Sequence, residues 1–595
     1  MRWLSLWMLA AAPLLAAAQA PLTLELLSPR DDPARTTAES VNLLGRTLPG
    51  TVVRVGGELV TVFATGVFAR DRVPLTPGFN TLHIEARGAD GQTLSRQWQI
   101  ERVSPPPSAL WPADRLWLDG ASLQPAQTLQ VAPGEGVEVS LRATPQQRVE
   151  ARLPGQTWRP LVETSTGRYR AWLVFGDSQE RSAAPVQVRV SALALPRLTR
   201  PRRIGALTAG TAGLWRIDPE RLFVVGPEGA ALVHGLHEVR LGGPHLSELP
   251  AGTLLAATGQ RGEQIRVQLT PDIQAWVAAS ELTPAPAGTA APRAAFTSLS
   301  VTGGVDGDTV QVPLPAVVPY ALNLVSDASG WQHLDLEVFG AHHATTWISH
   351  RADARVVREV RAEQVGPGHV RLRIALREPR LWGWRVERSA GALRIVLRAA
   401  PVIARQGSPL AGLHVALEPG HGGATNLGAL GATGTPEKDI NRWTVQALRA
   451  ELESVGARVS VVREADDNPT LRERAQRVTA ADAHLFVSVH ANATDTSAGY
   501  LRVGGVSTYY KHASGRDLAA AVQRRLLEQT GLADFGLVGN FNYAPIRLVT
   551  WMPAVLVEQA FVTHPGDEAR LLDPDFRALM ARSVRQGLED FLRPR

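Results

Sequence analysis

The chain has 595 residues, 44% of them hydrophobic and 20% charged, a composition typical of folded proteins. It is too long to form a single hydrophobic core, and a size of about 150 residues per domain suggests about four domains. It contains no cysteine, which excludes disulfides, thiolate metal ligands and a cysteine nucleophile, so a metal must be held by His, Asp or Glu. The net charge is only +6, and no dense basic stripe is interleaved with aromatic residues, which argues against nucleic acid as a partner.

The first twenty residues have the pattern of a cleaved export signal. Arg2 is followed by an apolar stretch, and Ala-Gln-Ala at 18–20 has the small-x-small form of a signal-peptidase site. No other segment approaches the roughly 18 uncharged apolar residues of a membrane span. We therefore predict a signal peptide over 1–20 and a protein exported to the periplasm or cell envelope without a membrane span.

Residues 21–103 alternate with period two between turn signals, which predicts an antiparallel β-sandwich. The phrase NLLGRTLPGTVVRV at 42–55 and LTPGFNTL at 75–82 resemble the immunoglobulin-like modules of bacterial surface proteins. The prolines of SPPPS at 104–108 then predict a stiff linker.

Three further β-rich units are expected upstream of residue 412. The first covers 109–195, and the second, 204–282, ends in QAWVAASEL, which resembles the last strand and turn of a bacterial SH3-like wall-associated barrel; a generic small barrel with a buried Trp276 is the alternative. TPAPAGTAAPR at 283–293 predicts a linker, and 294–401 is again strand-rich. We interpret the histidines of GAHHATTWISH in this unit as exposed strand or loop residues rather than metal ligands: His342, His343 and His350.

From residue 412 to 595 the pattern changes to short apolar runs that alternate with segments of helical period. This predicts an α/β domain with a central, mostly parallel sheet flanked by helices. One such helix is EKDINRWTVQALRAELESVG, whose apolar residues fall on one face and which Gly456 ends.

Four polar residues of this domain are candidates for chemistry. His421 follows a strand in VALEPGHGG, at the carboxyl edge where ligand sites of open α/β sheets lie, although a turn role is the alternative. Glu437 opens a helix, where it could serve only the helix dipole. His490 ends the strand HLFVSVH, where a core histidine is the alternative. Glu558 ends PAVLVE, where a buried carboxylate is costly unless it is paired or bound to metal.

Taken together, these residues predict metal-assisted hydrolysis. Two imidazoles and one carboxylate can hold zinc while leaving a position for water. A further carboxylate that does not bind the metal can take a proton from that water and pass it to a leaving nitrogen. This chemistry does not by itself choose a substrate.

The order of four sequence motifs indicates the substrate. EPGHGG, then Gly434–Asp439 with the form G-x-x-E-K-D, then LFVSVHANA at 485–493, then MPAVLVE at 552–558 resemble the zinc-dependent N-acetylmuramoyl-L-alanine amidases over about 413–592. The strand pattern of 294–401, directly ahead of this domain, resembles the β-sandwich targeting module often fused to wall amidases.

The resemblance implies hydrolysis of the amide between the lactyl group of N-acetylmuramic acid and the L-alanine of the peptidoglycan stem peptide. It implies that His421, Glu437 and His490 bind one zinc ion and that Glu558 is the catalytic carboxylate. Peptidoglycan is then the partner, possible activation by another protein is left open, and the protein is expected to be a monomer.

Two residues depart from the family pattern. Glu418 stands where the family usually has Asp before PGHGG. It is a candidate to orient His421 without itself binding the metal. His564 stands in THPGDE where asparagine is common, which we interpret as a loop substitution. The 67 residues between His490 and Glu558 are too few for the long inhibitory helix that some members insert there, so little self-occlusion is expected.

Two alternatives remain open at this point. The chain could be a wall-binding or scaffolding protein with little activity, although retention of all four polar residues argues against it. It could also be a zinc amidase or peptidase that acts on another amide, since the site chemistry would be the same.

Overall fold

The computed structural model describes residues 21–103, 116–127, 129–131, 135–153, 156–174, 184–191, 207–216, 221–236, 243–314, 317–389 and 391–593. The predicted signal peptide and the SPPPS linker lie outside these residues. Among the described residues, strands make up the modules before residue 412, and every α-helix follows it. No described helix is both long enough and apolar enough to cross a membrane.

The first module is a sandwich of two sheets, as the alternating pattern predicts. Its strands are β1 Leu24–Ser28, β2 Ala34–Thr36, β3 Ser40–Thr47, β4 Val52–Val55, β5 Glu58–Val60, β6 Val67–Pro74, β7 Gly78–Arg87 and β8 Thr93–Arg102. One sheet has the order β1-β3-β6 and the other β2-β8-β7-β4-β5. The inward residues of both sheets form one apolar core.

The second and third β-rich units are joined by a continuous sheet. Their strands are β9 Leu118–Gln124, β10 Leu129–Val131, β11 Gly136–Ala143, β12 Arg148–Arg152, β13 Arg159–Pro160, β14 Val162–Ser165, β15 Arg168–Val174, β16 Ala184–Ser191, β17 Leu207–Arg216, β18 Leu222–Val225, β19 Ala230–Val233, β20 His245–Leu249, β21 Leu254–Arg261, β22 Gln264–Thr270, β23 Ile273–Ala278 and β24 Leu282–Pro284. A twelve-stranded sheet crosses the expected boundary because β10 pairs with both β17 and β21. The two units still have separate apolar cores.

The fourth module is a second sandwich. Its strands are β25 Ala294–Gly303, β26 Gly307–Pro313, β27 Tyr320–Ser326, β28 Gln332–Phe339, β29 Ala341–His350, β30 Val357–Gly366, β31 His369–Leu376, β32 Gly383–Ser389 and β33 Ala392–Arg398. The sheets have the orders β29-β25-β26-β33-β32 and β27-β28-β31-β30. The side chains of His342, His343 and His350 lie exposed along β29, as expected.

The C-terminal domain is an α/β fold, which confirms the predicted class. Its elements are β34 His414–Pro419, α1 Glu437–Ser454, β35 Arg458–Val461, α2 Leu471–Ala480, β36 Leu485–Asn492, β37 Val506–Tyr509, α3 Ala513–Thr530, β38 Asp534–Val538, α4 Ala544–Leu548, β39 Ala554–Phe561, α5 Pro565–Leu571 and α6 Pro574–Leu592. The sheet order is β35-β34-β36-β39-β37-β38, parallel except between β37 and β39.

The burial of its central strands fits a parallel sheet that is covered on both faces. The central strands β34, β36 and β39 are almost continuously apolar and buried, as expected for parallel strands covered on both faces. Helix α1 turns Ile440, Leu448 and Leu452 into the core and ends before Gly456, which has φ 84°. Because the parallel strands end at one edge, the loops that follow β34, β36 and β39 meet there.

The first module docks on these loops. Asp71 accepts hydrogen bonds from the backbone N–H groups of Tyr500 (2.7 Å) and Leu501 (2.9 Å), in the loop after β36. Arg46 donates to the Thr433 carbonyl (2.7 Å), in the loop between β34 and α1. The same surface shares an apolar cluster of Leu44, Val67, Ala69 and Tyr500. The N-terminal module is therefore attached to the edge of the sheet where the candidate site residues lie.

Asp71→Asn should weaken this docking. An amide can accept only one of the two backbone hydrogen bonds and turns its own N–H groups toward the other donor. Because hydrogen bonds to charged groups contribute about 1.5–3 kcal/mol, we expect a loss of about that size in the stability of the interface. Calorimetry should show a lower unfolding temperature and limited proteolysis faster cleavage. Asp31→Asn, at an exposed position of the same module, is the control; equal behaviour of the two variants would contradict the docking.

Candidate metal centre and active site

The four candidate residues meet at the carboxyl edge of the sheet. His421 follows β34, Glu437 is the first residue of α1, and His490 and Glu558 lie opposite each other in the register of the parallel pair β36 and β39. One ligand atom from each of His421, Glu437 and His490 can be chosen so that all lie within 4.8 Å of one another. Strand ends and one helix start thus bring together residues separated by up to 137 positions in the chain.

Glu437 lies between the two imidazoles. Its Oε2 is 3.1 Å from His421 Nε2, and its Oε1 is 3.2 Å from His490 Nδ1. Oε1 also accepts hydrogen bonds from the Ala491 N–H and the Asn441 side-chain amide, both at 3.1 Å. Burial alone would raise the pKa of Glu437, but its interactions with both histidines hold that pKa well below the usual range. Glu437 is therefore an ionised carboxylate.

His421 is held in a strained backbone conformation. Its φ of 62° is left-handed, which costs a residue other than glycine about 1–3 kcal/mol and persists only where the surrounding structure stabilises it. Arg474 Nη2 stabilises this turn by donating to the His421 carbonyl at 2.7 Å. His421 Nδ1 lies 2.8 Å from Asn426 Oδ1; because an amide oxygen only accepts, Nδ1 carries the hydrogen and Nε2 is the atom left for a ligand.

His490 is buried against a bare segment of backbone. A Cβ at Gly420 would lie 2.2 Å from His490 Cε1, so only glycine leaves room for the ring. Tyr543 packs edge-on against the imidazole, with 5.2 Å between ring centroids. Burial would lower the pKa of His490, but the hydrogen bond to Glu437 and its charge raise that pKa. His490 Nε2 is buried and has no hydrogen-bond partner.

Glu558, opposite His490 in the strand register, offers a second buried atom without a hydrogen-bond partner. Its Oε2 is buried and has no hydrogen-bond partner, an expensive arrangement for a carboxylate. Burial raises the pKa of Glu558 to about 7; the nearby His490 lowers that pKa and Glu437 raises it. A carboxylate with such a pKa can both accept and return a proton near neutral pH.

The donor set fits a divalent metal such as zinc. His421 Nδ1 is directed to Asn426, and its Nε2 faces Glu437 Oε2 at 3.1 Å, so Nε2 and this carboxylate oxygen are the atoms that a cation between the two side chains would meet. The His490 imidazole adds a third donor, because its Nδ1 lies 3.2 Å from Glu437 Oε1. Two imidazoles and one carboxylate are a known zinc set with room for water. Zinc as the bound ion remains a prediction.

Gly428 keeps space open beside two of these residues. Its φ is +71°, and a Cβ there would lie 2.5 Å from Glu437 Oε2 and 2.7 Å from His421 Cδ2. We expect Gly428→Ala to displace both side chains and lower zinc affinity by at least about 10–100-fold, the range seen when the support of metal ligands is removed. Metal content after dialysis against a competing chelator measures this.

Gly434→Ala is the matched control for that substitution. Gly434 lies in the same loop with φ +88°, and a Cβ there meets nothing within 4 Å. This variant carries the same backbone strain of about 1–2 kcal/mol without touching the site, so it should lose some stability but retain metal. Equal metal loss by both variants would attribute the effect to loop strain rather than to crowding of the ligands.

Glu418 is linked to His421 through Arg474 rather than by a hydrogen bond to the imidazole. The structure shows no contact between this carboxylate and the His421 ring; Asn426 holds the ring instead. The buried Glu418 pairs with Arg474 (3.0 Å) and accepts a hydrogen bond from Ser488 (2.5 Å). Its influence on His421 passes through Arg474, which binds the His421 carbonyl. The role of Glu418 in orienting His421 stays a prediction.

His564 has a defined local role. It is the N-cap residue of α5, and its Nδ1 accepts a hydrogen bond from the Asp567 N–H at 3.1 Å. Asparagine can cap a helix in the same way, which explains how histidine replaces it here. The His564 ring also contacts Phe63 of the first module, with 6.3 Å between ring centroids.

The structure describes all of the interval between His490 and Glu558, and the long helix that it contains belongs to the core of the domain. This helix, α3, packs against α6 and contributes Leu518 and Val522 to the core. The five-residue helix α4 follows Tyr543, whose ring packs against His490.

Several residues around the site were not predicted as site residues. Asn441 could have been found, because it lies one helical turn after Glu437 and therefore on the same face of α1. Gln559 donates to Asn441 Oδ1 (3.1 Å) and to the His490 carbonyl (3.2 Å). Asn426 and Tyr543 lie in irregular segments, and the sequence holds no periodic signal for either of them.

Comparison with known proteins identifies relatives of this domain. The family model described as N-acetylmuramoyl-L-alanine amidase matches residues 415–590. N-acetylmuramoyl-L-alanine amidase LytC of Bacillus subtilis (strain 168) is 31% identical over 186 residues, which are 31% of this chain and 37% of LytC. The uncharacterized protein YqiI of the same organism is 31% identical over 208 residues, 34% of this chain and 96% of YqiI.

A solved structure is also similar. The catalytic domain of CwlV, an N-acetylmuramoyl-L-alanine amidase from Bacillus (Paenibacillus) polymyxa var. colistinus, is 30% identical, with 30% of this chain and 98% of that chain covered and a TM-score of 0.28. The similarity to all three proteins concerns about a third of the chain, and this chain spans well under half the length of LytC.

Proposed function

Because the chain belongs to the N-acetylmuramoyl-L-alanine amidase family through its C-terminal domain, we propose that the whole protein hydrolyses the amide between the lactyl group of N-acetylmuramic acid and L-alanine in peptidoglycan. The observation that carries the proposal is the convergence of three metal-ligand side chains with a buried, unpartnered carboxylate oxygen on Glu558. Cleavage of this bond releases intact stem peptides and leaves the glycan strand whole.

His421, Glu437 and His490 would hold the metal. A zinc ion bound there supplies a Lewis acid, which activates water and polarises the scissile carbonyl. Other side chains hold His421 in position: Asn426 contacts its ring nitrogen Nδ1, and Arg474 donates a hydrogen bond to its backbone carbonyl. Such support keeps ligand geometry constant between turnovers.

Glu558 would transfer the proton. Its free Oε2 accepts a proton from the water that attacks the lactyl carbonyl, and the same carboxyl then protonates the alanine nitrogen as the C–N bond breaks. Burial raises the pKa of Glu558, which favours return of the proton to the leaving nitrogen. Proton transfer by a positioned group of this kind contributes about 10²–10⁴-fold in rate.

A pair of soluble substrates separates this proposal from an amidase or peptidase of other specificity. N-acetylmuramoyl-L-alanyl-D-isoglutamine contains the proposed scissile amide, whereas N-acetyl-L-alanyl-D-isoglutamine has an acetyl group in place of the muramoyl group. We expect the zinc-loaded protein to release the free dipeptide from the first compound only. Cleavage of both at similar rates would contradict the proposed specificity, and cleavage of neither would contradict the activity on such amides.

We also place the protein in the envelope as part of this proposal. The support is the predicted signal peptide together with the wall substrate of the proposed reaction. Activation by another protein and the monomeric state stay predictions.

A further inference from the structure

A cleft lies where the second β module meets the third, far along the chain from the metal centre. It encloses about 440 Å³, within the range of about 300–1,000 Å³ typical of small-molecule sites. Indole, amide and charged side chains from both modules line it, among them Gln130, Glu138, Trp172, Gln260, Arg266 and Trp276.

The two walls of the cleft are fixed to each other. The continuous sheet joins them, because β10 pairs with β21 through Leu129 and Arg261. Arg266, on β22, forms a two-pronged ion pair with Glu135 of the second module and also donates to the Thr258 carbonyl at 3.0 Å. The cleft is therefore preformed and does not depend on a ligand to assemble it.

Trp172 gives the cleft an open aromatic surface. Its side chain is 62% exposed, unusual for the residue with the largest apolar area. The indole lies against the backbone of Gly136, where an added Cβ would be 3.2 Å from Trp172 Cε3. Trp276, half-buried on β23, supplies a second indole, and the Arg266 guanidinium lies 5.7 Å from its ring. Packing among the described residues of the two modules does not account for an indole left open at this place.

The chemistry of the lining favours an uncharged, polar ring over a charged ligand. The lining itself holds two carboxylates, Glu135 and Glu138, and two guanidinium groups, Arg261 and Arg266, so its own charges balance and do not select an acidic or a basic molecule. Pyranose rings have apolar C–H faces that pack on indoles, and a rim of hydroxyl and acetamido groups. Amide side chains such as those of Gln130 and Gln260 can both donate to and accept from that rim.

We propose that this cleft binds the glycan strand of peptidoglycan through an N-acetylated hexosamine packed on Trp172. The glycan as the natural source rests on the proposed amidase function, whereas the saccharide chemistry of the cleft does not. Such a site would hold the enzyme on the strand whose stem peptides it removes, and would raise the effective concentration of substrate at the metal centre.

Titration with N,N′,N″,N‴-tetraacetylchitotetraose, an uncharged N-acetylhexosamine oligomer, tests the site directly. The full chain carrying Glu558→Gln is used so that no amide is cleaved, and binding is followed by calorimetry and indole fluorescence. We expect saturable binding that Trp172→Ala weakens by at least about tenfold, or about 1.4 kcal/mol. Trp172→Phe, which keeps an aromatic face, should bind with intermediate affinity and guards against misfolding of the alanine variant.

Trp347→Ala is the matched control, because Trp347 is 69% exposed on β29 of the fourth module, away from the cleft. It should bind the oligomer as strongly as the parent. Absence of saturable binding by the parent, or equal affinity in the Trp172 and Trp347 variants, would overturn the proposal. Binding of a glycan-free stem peptide that depends on Trp172 would assign the cleft to a different ligand and overturn it as well.

A second readout separates this inference from the proposed function. In the chain with Glu558 intact, Trp172→Ala should slow peptide release from sacculi while leaving hydrolysis of soluble N-acetylmuramoyl-L-alanyl-D-isoglutamine unchanged. If the parent hydrolyses neither substrate but still binds the oligomer through Trp172, the amidase proposal fails and the saccharide site stands. If hydrolysis proceeds without oligomer binding, the saccharide site fails alone.

Discussion

Glu558→Gln is expected to lower kcat for the muramoyl amide by about 10²–10⁴-fold, the contribution of a positioned acid–base group. Glutamine keeps the size of the side chain but cannot take a proton from water or return one to the leaving nitrogen. The substitution leaves His421, Glu437 and His490 in place, so zinc content should stay at one per chain. Stability should not fall, because a neutral amide avoids the cost of burying a carboxylate. Initial rates on the soluble muramoyl substrate and metal analysis measure both quantities.

Glu464→Gln is the control for that substitution. The Glu464 side chain is 68% exposed and pairs with Arg449 on the surface, so its loss should change neither rate nor metal content. A Glu558→Gln variant that hydrolyses the substrate within a few-fold of the parent would remove this residue from the reaction. Loss of zinc by the same variant would instead assign Glu558 to the metal site.

Glu437→Gln is expected to lower zinc affinity by more than about 100-fold, beyond the 10–100-fold that follows loss of an outer support. The amide carries no negative charge to attract the metal. Its NH2 group, turned toward His421 or His490, also places a hydrogen-bond donor where the carboxylate offered an oxygen lone pair. Activity should fall in parallel and recover only in part at high zinc concentration. Competition with a chromophoric chelator gives the affinity, and the rise in unfolding temperature on zinc addition should be lost.

Asp439→Asn is the matched control for the metal prediction. Asp439 is the other acidic residue in the first turn of α1, so both substitutions remove one charge from the same end of the helix dipole. Only Glu437 faces the histidines. If Asp439→Asn weakened zinc as strongly as Glu437→Gln, the helix end rather than a coordinating carboxylate would be responsible.

The main features of the C-terminal domain could be predicted because strand ends and helix starts leave local signals. His421, His490 and Glu558 stand at the ends of apolar runs, and Glu437 stands where helical periodicity begins. Parallel strands bring such ends to one edge, so the convergence of the four residues follows from topology. The sequence predicted these positions without any knowledge of side-chain direction.

Side-chain partners could not be predicted in the same way. Glu418 precedes His421 closely in sequence, yet its carboxylate points to Arg474 on α2 and to Ser488 on β36. Those partners come from elements 56 and 70 positions away, and their placement depends on helix packing that no local pattern records. Tyr543 reaches His490 from an irregular segment for the same reason.

The contacts between modules also could not be predicted from the sequence. The sequence suggested separate β units over 109–195 and 204–282, but β10 joins them in one sheet through pairing across more than 80 positions. The docking of the first module on the site loops depends on Asp71 and Arg46, two surface residues without a distinctive context. Long-range pairing of this kind leaves no periodic trace.

The products of sacculus digestion test the central claim most directly. Purified sacculi are incubated with the zinc-loaded chain or with Glu558→Gln, and the soluble and insoluble fractions are analysed by mass spectrometry. We predict that the parent releases intact stem peptides with free N-terminal L-alanine and leaves glycan with free lactyl carboxylates, while the variant releases neither at a comparable rate. Products cut within the stem peptide or within the glycan, or equal release by the variant, would contradict the account.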